Sequence, residues 1–172
     1  MFKKIAVAAL LSLGMAGVTQ AADAPTDPQI AHIAYTAGQI DIDAAKQALA
    51  KSQNADIIAF AQTMQRDHQT VNDQALALLK KLGVSPEDTP TSQTLSKNAT
   101  DELAVLEKLD GSAYDKAYID NEVTFHQTVI AALKDTLIPA TQNAELKALL
   151  EGAVPLFEEH EQHAEMLAKS VK

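Results

Sequence analysis

Cysteine and tryptophan are both missing from the 172 residues, and arginine occurs once, at Arg66. Without cysteine there is no disulfide framework and no thiolate metal site. With 14 basic against 23 acidic side chains and a net charge of −9, the chain has no clustered basic surface to hold nucleic acid or anionic lipid. Glycine and proline number only six each, and aromatics make up 4 %. There is no Gly-rich phosphate loop and no serine-nucleophile motif. Beyond the first twenty-one residues no apolar run approaches membrane-spanning length. The acidity favours solubility and weakly favours cations, although scattered charge is also the usual way to solvate helices.

What is present begins with "MFKKIAVAALLSLGMAGVTQA". Lys3 and Lys4 precede an apolar run, Ile5 to Val18, of secretory-signal length and too short for a comfortable membrane span. Thr19 and Ala21 are small residues set three and one before a cut. The expected organisation is a cleaved signal peptide over residues 1–21 and a single domain over 22–172, exported to the periplasm. Loss of Lys3 and Lys4 with the leader takes the net charge from −9 to −11.

Apolar residues in the remainder recur at steps of three and four, the period of helices rather than strands. A first helix is expected from about Pro28 to Ser52, with Asp27 as its cap and Pro28 at the first helical position. A second follows Asn54 and stops at Gly83. A third opens at "SAYD", where Ser112 and Asp115 can form a capping box, and stops at Pro139. A fourth runs from about Asn143 to Val171 with a kink at Pro155. Between the second and third, the stretch from Ser85 to Gly111 reads as a crossover carrying one or two short helices. Short links 1–2 and 3–4 with a long link 2–3 give the connectivity of an all-α, ferritin-like four-helix bundle, in which cofactor sites form in the core from facing helices.

Each apolar stripe carries a group of another kind. Helix 4 shows Leu150, Ala153, Phe157, His160, Ala164, Leu167 and Val171, so within "FEEHEQHAEM" His160 points inward and His163 lies on a flank. Helix 2 shows Ile57, Phe60, Met64, His68, Val71, Ala75, Leu78 and Leu82, with Asp67 beside the histidine; helix 3 shows Ile119, Glu122, Val123, His126, Ile130, Leu133 and Leu137. Helix 1 shows Ile33, Ala37, Asp41 and Ala44, with Ile40 as the competing inward residue. At 1.5 Å rise per residue, Asp41 and His68 stand within roughly 5 Å of one height, and His126 and His160 differ by about one turn. Three histidines would all fall on apolar faces by chance roughly 8 % of the time. Buried imidazoles need partners, which can be one another, water or a metal. A metal site and a purely structural polar layer both remain open on these grounds. His32 is expected to be exposed, and Tyr114 and Tyr118 to be packing residues.

Three stretches, "FAQTMQRDHQTVNDQALALLKKLGV", "LEKLDGSAYDKAYIDNEVTFHQTVIAAL" and "AVPLFEEHEQHAEML", resemble the exported bacterial domain-of-unknown-function family 4142, whose members are often labelled predicted outer membrane proteins. The resemblance rests on the DH pair, the G-x-x-(Y/F)-D-x-x-Y run and the P-x-x-x-x-H end, and covers nearly all of the chain after the leader. It implies a ferritin-like fold, no settled activity, and recurrent histidines at the positions of His68, His126 and His160. The family carries Glu where Asp41 stands here, and Asp where Phe125 stands, which weakens the transfer of any acid/base role to that position. The helical period argues against reading the outer-membrane label as a β-barrel.

The ferritin-like di-iron pattern needs Glu-x-x-His on two helices. Here Gln65 and Phe157 stand three before His68 and His160, while Glu122 and Glu159 stand four before His126 and His163. The di-iron oxidase pattern is not met, and nothing in the sequence points to turnover. Three imidazoles with Asp41, Glu122 or Asp67 form a nitrogen-rich set, suited to zinc or copper. The expectation is an exported helical bundle that binds such an ion. The alternative is a structural or interaction module of the cell envelope, without metal, whose histidines are satisfied core groups.

Overall fold

The computed structural model describes residues 24–171. The expected signal peptide, residues 1–21, lies outside the described residues. Six α-helices follow in order: α1 Asp27–Lys51, α2 Ala55–Leu82, α3 Pro90–Leu106, α4 Gly111–Ala132, α5 Ile138–Ala140 and α6 Ala144–Ser170. A π turn, Leu133–Leu137, joins α4 to α5. The expected all-α bundle is present: α1, α2, α4 and α6 are its four long helices, α1 packs on α2, α4 packs on α6, and the crossover carries the single helix α3 along α1.

The helix ends follow local chemistry, with three departures from expectation. Asn54 and Asn143 accept from backbone N–H groups of the first turns of α2 and α6, and Gly83 ends α2 at φ 68°, a left-handed position that favours glycine. Asp27, by contrast, does not cap α1; Thr26 and Gln29 form the capping box there. The Asp27 carboxylate instead accepts from the backbone N–H groups of Gln142 and Asn143 at 2.9 and 2.8 Å, tying the start of α1 to the α5–α6 link. Ser112 and Asp115 form no capping box, since α4 starts one residue earlier at Gly111 and Asp115 is buried. Pro139 does not end the third long helix either. The π turn lets Ile138 N–H bond the Leu133 carbonyl, and the chain adds one further turn with Pro139 inside it. Pro155 lies within α6, which runs unbroken across it; Pro155 and Glu151, whose carbonyl loses its partner, are both exposed to water.

The core has two apolar halves with a polar layer between them. One half holds Ala44 and Ala48 of α1, Ile57 to Met64 of α2, Tyr114 to Ile119 of α4 and Ala164 to Val171 of α6. The other holds Ile30 and Ile33 of α1, Leu79 of α2, Ile130 of α4, Leu133 and Leu137 of the π turn, and Leu146 to Phe157 of α6. Every long helix places at least one buried ionisable residue between the halves: Asp41, His68, Glu122 with His126, and His160. Each fully buried Leu, Ile or Phe contributes about 1.5–3 kcal/mol, so two substantial apolar halves can support one polar layer.

Candidate functional site

The polar layer brings together one group or pair from each long helix. Asp41, Glu122 and His126 are each 1 % exposed, His68 2 % and His160 4 %. Asp41, not Ile40, is the residue of α1 that faces the core. One ring nitrogen from each of His68, His126 and His160 lies within 4.8 Å of the others, and Asp41, Glu122 and His126 form a second such group. Nε2 of His68 is 3.2 Å from Asp41 Oδ2, and Nε2 of His126 is 3.5 Å from the same oxygen.

Heights counted along the chain leave His126 and His160 about one turn apart, yet their ring centroids are 5.5 Å apart. Side chains tilt toward the N-terminus of their own helix. In antiparallel α4 and α6 that tilt carries His126 away from the α5–α6 link and His160 toward it, closing the gap.

Two of the histidines are held by bonds that set their tautomers. Nδ1–H of His126 donates to the Glu122 carbonyl at 2.9 Å, which leaves Nε2 with its lone pair. Nε2–H of His160 donates to Asp67 Oδ2 at 3.1 Å, which leaves Nδ1 with its lone pair. Arg66 Nε donates to Asp67 Oδ1 at 2.7 Å. Asp67 therefore stands behind His160 as an orienting group, the arrangement common around metal-bound imidazoles. His68 stacks on Phe157 with centroids 4.8 Å apart and planes at 9°.

Burial sets the charge state. Desolvation pushes the Asp41 carboxyl up to about 8, and desolvation with the nearby Asp41 charge holds Glu122 well above its ordinary value. Desolvation lowers His126 to about 4 and takes His68 well below its ordinary value, with the neighbouring imidazoles adding to it. His160 is also lowered, mainly by burial. For Asp67 burial pulls upward, but hydrogen bonds from Arg66 and His160 outweigh it and hold the carboxylate below its usual range. Burial thus favours neutral imidazoles and a protonated Asp41 at neutral pH, with Glu122 raised in the same direction and an ionised Asp67 outside the layer.

Many atoms of this layer find no hydrogen-bond partner in the protein: both oxygens of Asp41, Oε2 of Glu122, both ring nitrogens of His68, Nε2 of His126 and Nδ1 of His160. An orphaned buried polar atom costs about 1–3 kcal/mol. Such a concentration of lone pairs aimed at one small volume is what a cation would satisfy.

Tyr118, expected as a packing residue, is fully buried, but its unpartnered hydroxyl beside the layer escaped the sequence reading, as did Asn72 on the α1 side. Tyr118 stands one turn before Glu122 on the same stripe, which was the available signal. Asn72 carried none. Asp115 is likewise buried with an unpartnered Oδ1. His32, expected to be exposed, is half-buried with Nδ1 3.6 Å from Asp88, because the crossover folds back over α1. His163 packs edge-on against Phe60 at 5.2 Å, on the flank of the apolar half.

Residues 14–167 match the family described as a domain of unknown function, DUF4142, and the chain belongs to that family. Its fold is similar to the crystal structure of a DUF305 protein from Streptomyces coelicolor, named as a predicted secreted protein. The two share 14 % identity over 82 % of this chain and 91 % of that one, with a TM-score of 0.67. At that identity the likeness shows the helical fold alone. No curated protein matches the chain. Among the described residues no helix is long and apolar enough to cross a membrane.

Proposed function

We propose that this DUF4142 chain is a periplasmic protein that binds one zinc or copper ion at the centre of its bundle. His68, His126 and His160 supply nitrogen, Asp41 the carboxylate, Glu122 a second carboxylate beside it, and Asp67 orients His160. The observation that carries the reading is the convergence of three buried ring nitrogens, from three helices, within 4.8 Å. Ligand atoms around a tetrahedral ion with bonds of about 2.0–2.1 Å stand roughly 3.3 Å apart. The Asp41 edges to His68 and His126, at 3.2 and 3.5 Å, fit that spacing. Nitrogen-rich sets favour zinc and copper over calcium, magnesium or a carboxylate-bridged iron pair. The expected leader, and the secreted assignment of the similar DUF305 protein, support export.

Elemental analysis of gently purified protein tests the reading, with His126→Ala alongside. One ion per chain is expected in the parent and none in the variant; no stoichiometric metal in either overturns it. Chelator treatment should lower the melting temperature, since an ion bound only to the folded state stabilises by mass action, about 2.7 kcal/mol at a hundredfold excess over Kd. A melting temperature indifferent to chelator would instead assign the layer to a metal-free envelope module.

A further inference from the structure

A cavity of about 1090 Å³, open to solvent along Thr128, Ala132, Thr136 and Pro139, extends from the end of the bundle, where Pro25, Pro90 and Pro139 line it, to His68 and His126 at the polar layer. Helical cores are close-packed and leave few voids larger than a water, whereas small-molecule sites measure about 300–1,000 Å³. From His126 to Pro139 the wall is about 20 Å long at 1.5 Å per residue, so the space is elongated. Almost half of its lining residues are Ala, Val or Leu. The π turn contributes Leu133, Thr136 and Leu137 to the lining, and such insertions recur at functional sites.

The charge of the lining restricts the occupant. No Lys or Arg lines the cavity among the described residues, and its one carboxylate, Asp135, is exposed. An anionic head would find no counter-charge at the buried end, whereas a hydroxyl needs none. What waits there is hydrogen-bonding capacity: both ring nitrogens of His68 and Nε2 of His126, all buried and without protein partners. His126 Nε2 can accept an O–H proton, and the protonated nitrogen of His68 can donate to the same oxygen.

We propose that this cavity binds an elongated, uncharged lipophile of the long-chain alcohol class, with its hydroxyl against His68 and His126 and its chain along α1 and α4. The binding goes beyond the metal reading, shares two residues with it and requires no ion. Equilibrium dialysis of labelled 1-dodecanol against the full purified chain, after chelator treatment and again after zinc loading, tests it. One dodecanol per chain is expected in the chelator-treated protein. Each methylene removed weakens binding about fourfold. Dodecanoate binds at least tenfold more weakly. Ala34→Trp and Val129→Trp, at half-buried wall positions of α1 and α4, each abolish uptake, and His126→Phe removes the preference for dodecanol over dodecane. No saturable dodecanol binding, equal binding of dodecanoate, or uptake retained by both tryptophan variants overturns the proposal. The chain-length and head-group series on the parent protein decides it even where a variant fails to fold. Zinc uptake without dodecanol binding removes this proposal and leaves the metal reading standing; dodecanol binding without zinc uptake does the reverse.

Discussion

Asp67 of α2 accepts the Nε2 proton of His160 of α6 at 3.1 Å, so a carboxylate near the surface decides which nitrogen of a buried imidazole keeps its lone pair. The bond to Arg66 on its other oxygen keeps Asp67 ionised and fixed. In the proposed centre Asp67 therefore acts through His160 and not on the ion.

Removing that support should weaken metal binding without unfolding the bundle. Asp67→Ala is expected to lower zinc affinity by about 10–100-fold, the usual effect of losing an outer partner of a ligating histidine. Competition with a chelating dye measures it, and helical circular dichroism should be unchanged. An affinity equal to the parent's would detach Asp67 from the site.

Gly38 of α1 faces Asn72 of α2 so closely that an added Cβ would stand 2.3 Å from Asn72 Oδ1. Asn72 is buried, and its Nδ2 donates to the Tyr35 carbonyl at 3.3 Å. A helical Gly→Ala change ordinarily gains up to about 1 kcal/mol, while overpacking costs about 1–3 kcal/mol. Gly38→Ala is therefore expected to destabilise by about 1–2 kcal/mol net, read in denaturant melts. Adding Asn72→Ala should restore part of the loss, because neighbouring substitutions couple.

The two backbone N–H groups held by Asp27 give another stability test. Asp27→Ala leaves the N–H groups of Gln142 and Asn143 without that acceptor at the α5–α6 link. Charge-assisted bonds contribute about 1.5–3 kcal/mol each when protected and less near solvent. A loss of about 1–3 kcal/mol is expected, with faster hydrogen exchange confined to residues 141–146. Exchange quickening across α1 instead would return Asp27 to a capping role.

Much of the bundle could be read from one-dimensional spacing. All seven stripe residues of the last helix, from Leu150 to Val171, are buried, and His160 sits among them as its position required. His68, His126 and Asp41 are equally buried, since period and link length together fix face and approximate height. What depended on three dimensions could not be read. The α2 stripe drifts, so that Leu82 is 36 % exposed while Asn72 and Leu79 are buried, because a real helix does not keep a 3.5-residue repeat. Pro139 reads as a stop, since only the π turn, an insertion without a sequence mark, makes room for it. The bond from His160 selects Asp67 over the four glutamates around that histidine, a choice made by α2 rather than by α6. The cavity is likewise invisible in the string: its small and branched wall residues look the same as core residues that meet a partner.

The pH dependence follows from two opposed sets of groups in one layer. Asp41 keeps its proton up to about pH 8 when folded, and Glu122 is raised in the same direction, whereas unfolded carboxyls ionise near pH 4. The folded chain thus binds more protons from about pH 4 to 8, and this contribution to stability is full below pH 4 and lost as pH rises through about 8. The imidazoles act the other way. His126 is lowered to about 4, and His68 and His160 are also below their ordinary value, so the unfolded chain binds more protons between about pH 4 and 6.5. Their contribution rises over that interval and is complete above it. Three imidazoles against two carboxyls largely cancel up to about pH 6.5, and above that only the carboxyls act, at no more than roughly 1.4 kcal/mol per pH unit per proton. The metal-free protein is therefore expected to melt highest near pH 6.5 and to lose stability toward pH 8, with Asp41→Asn flattening the fall. Zinc should reverse the trend, because ligands must be deprotonated to bind it: affinity rises with pH, and binding at pH 7 releases protons. Calorimetry in two buffers of different ionisation enthalpy counts those protons. Stability of the metal-free protein that still climbs from pH 6.5 to 8 would show that Asp41 and Glu122 are ionised in the folded chain, and would remove the neutral layer on which the expected proton release depends.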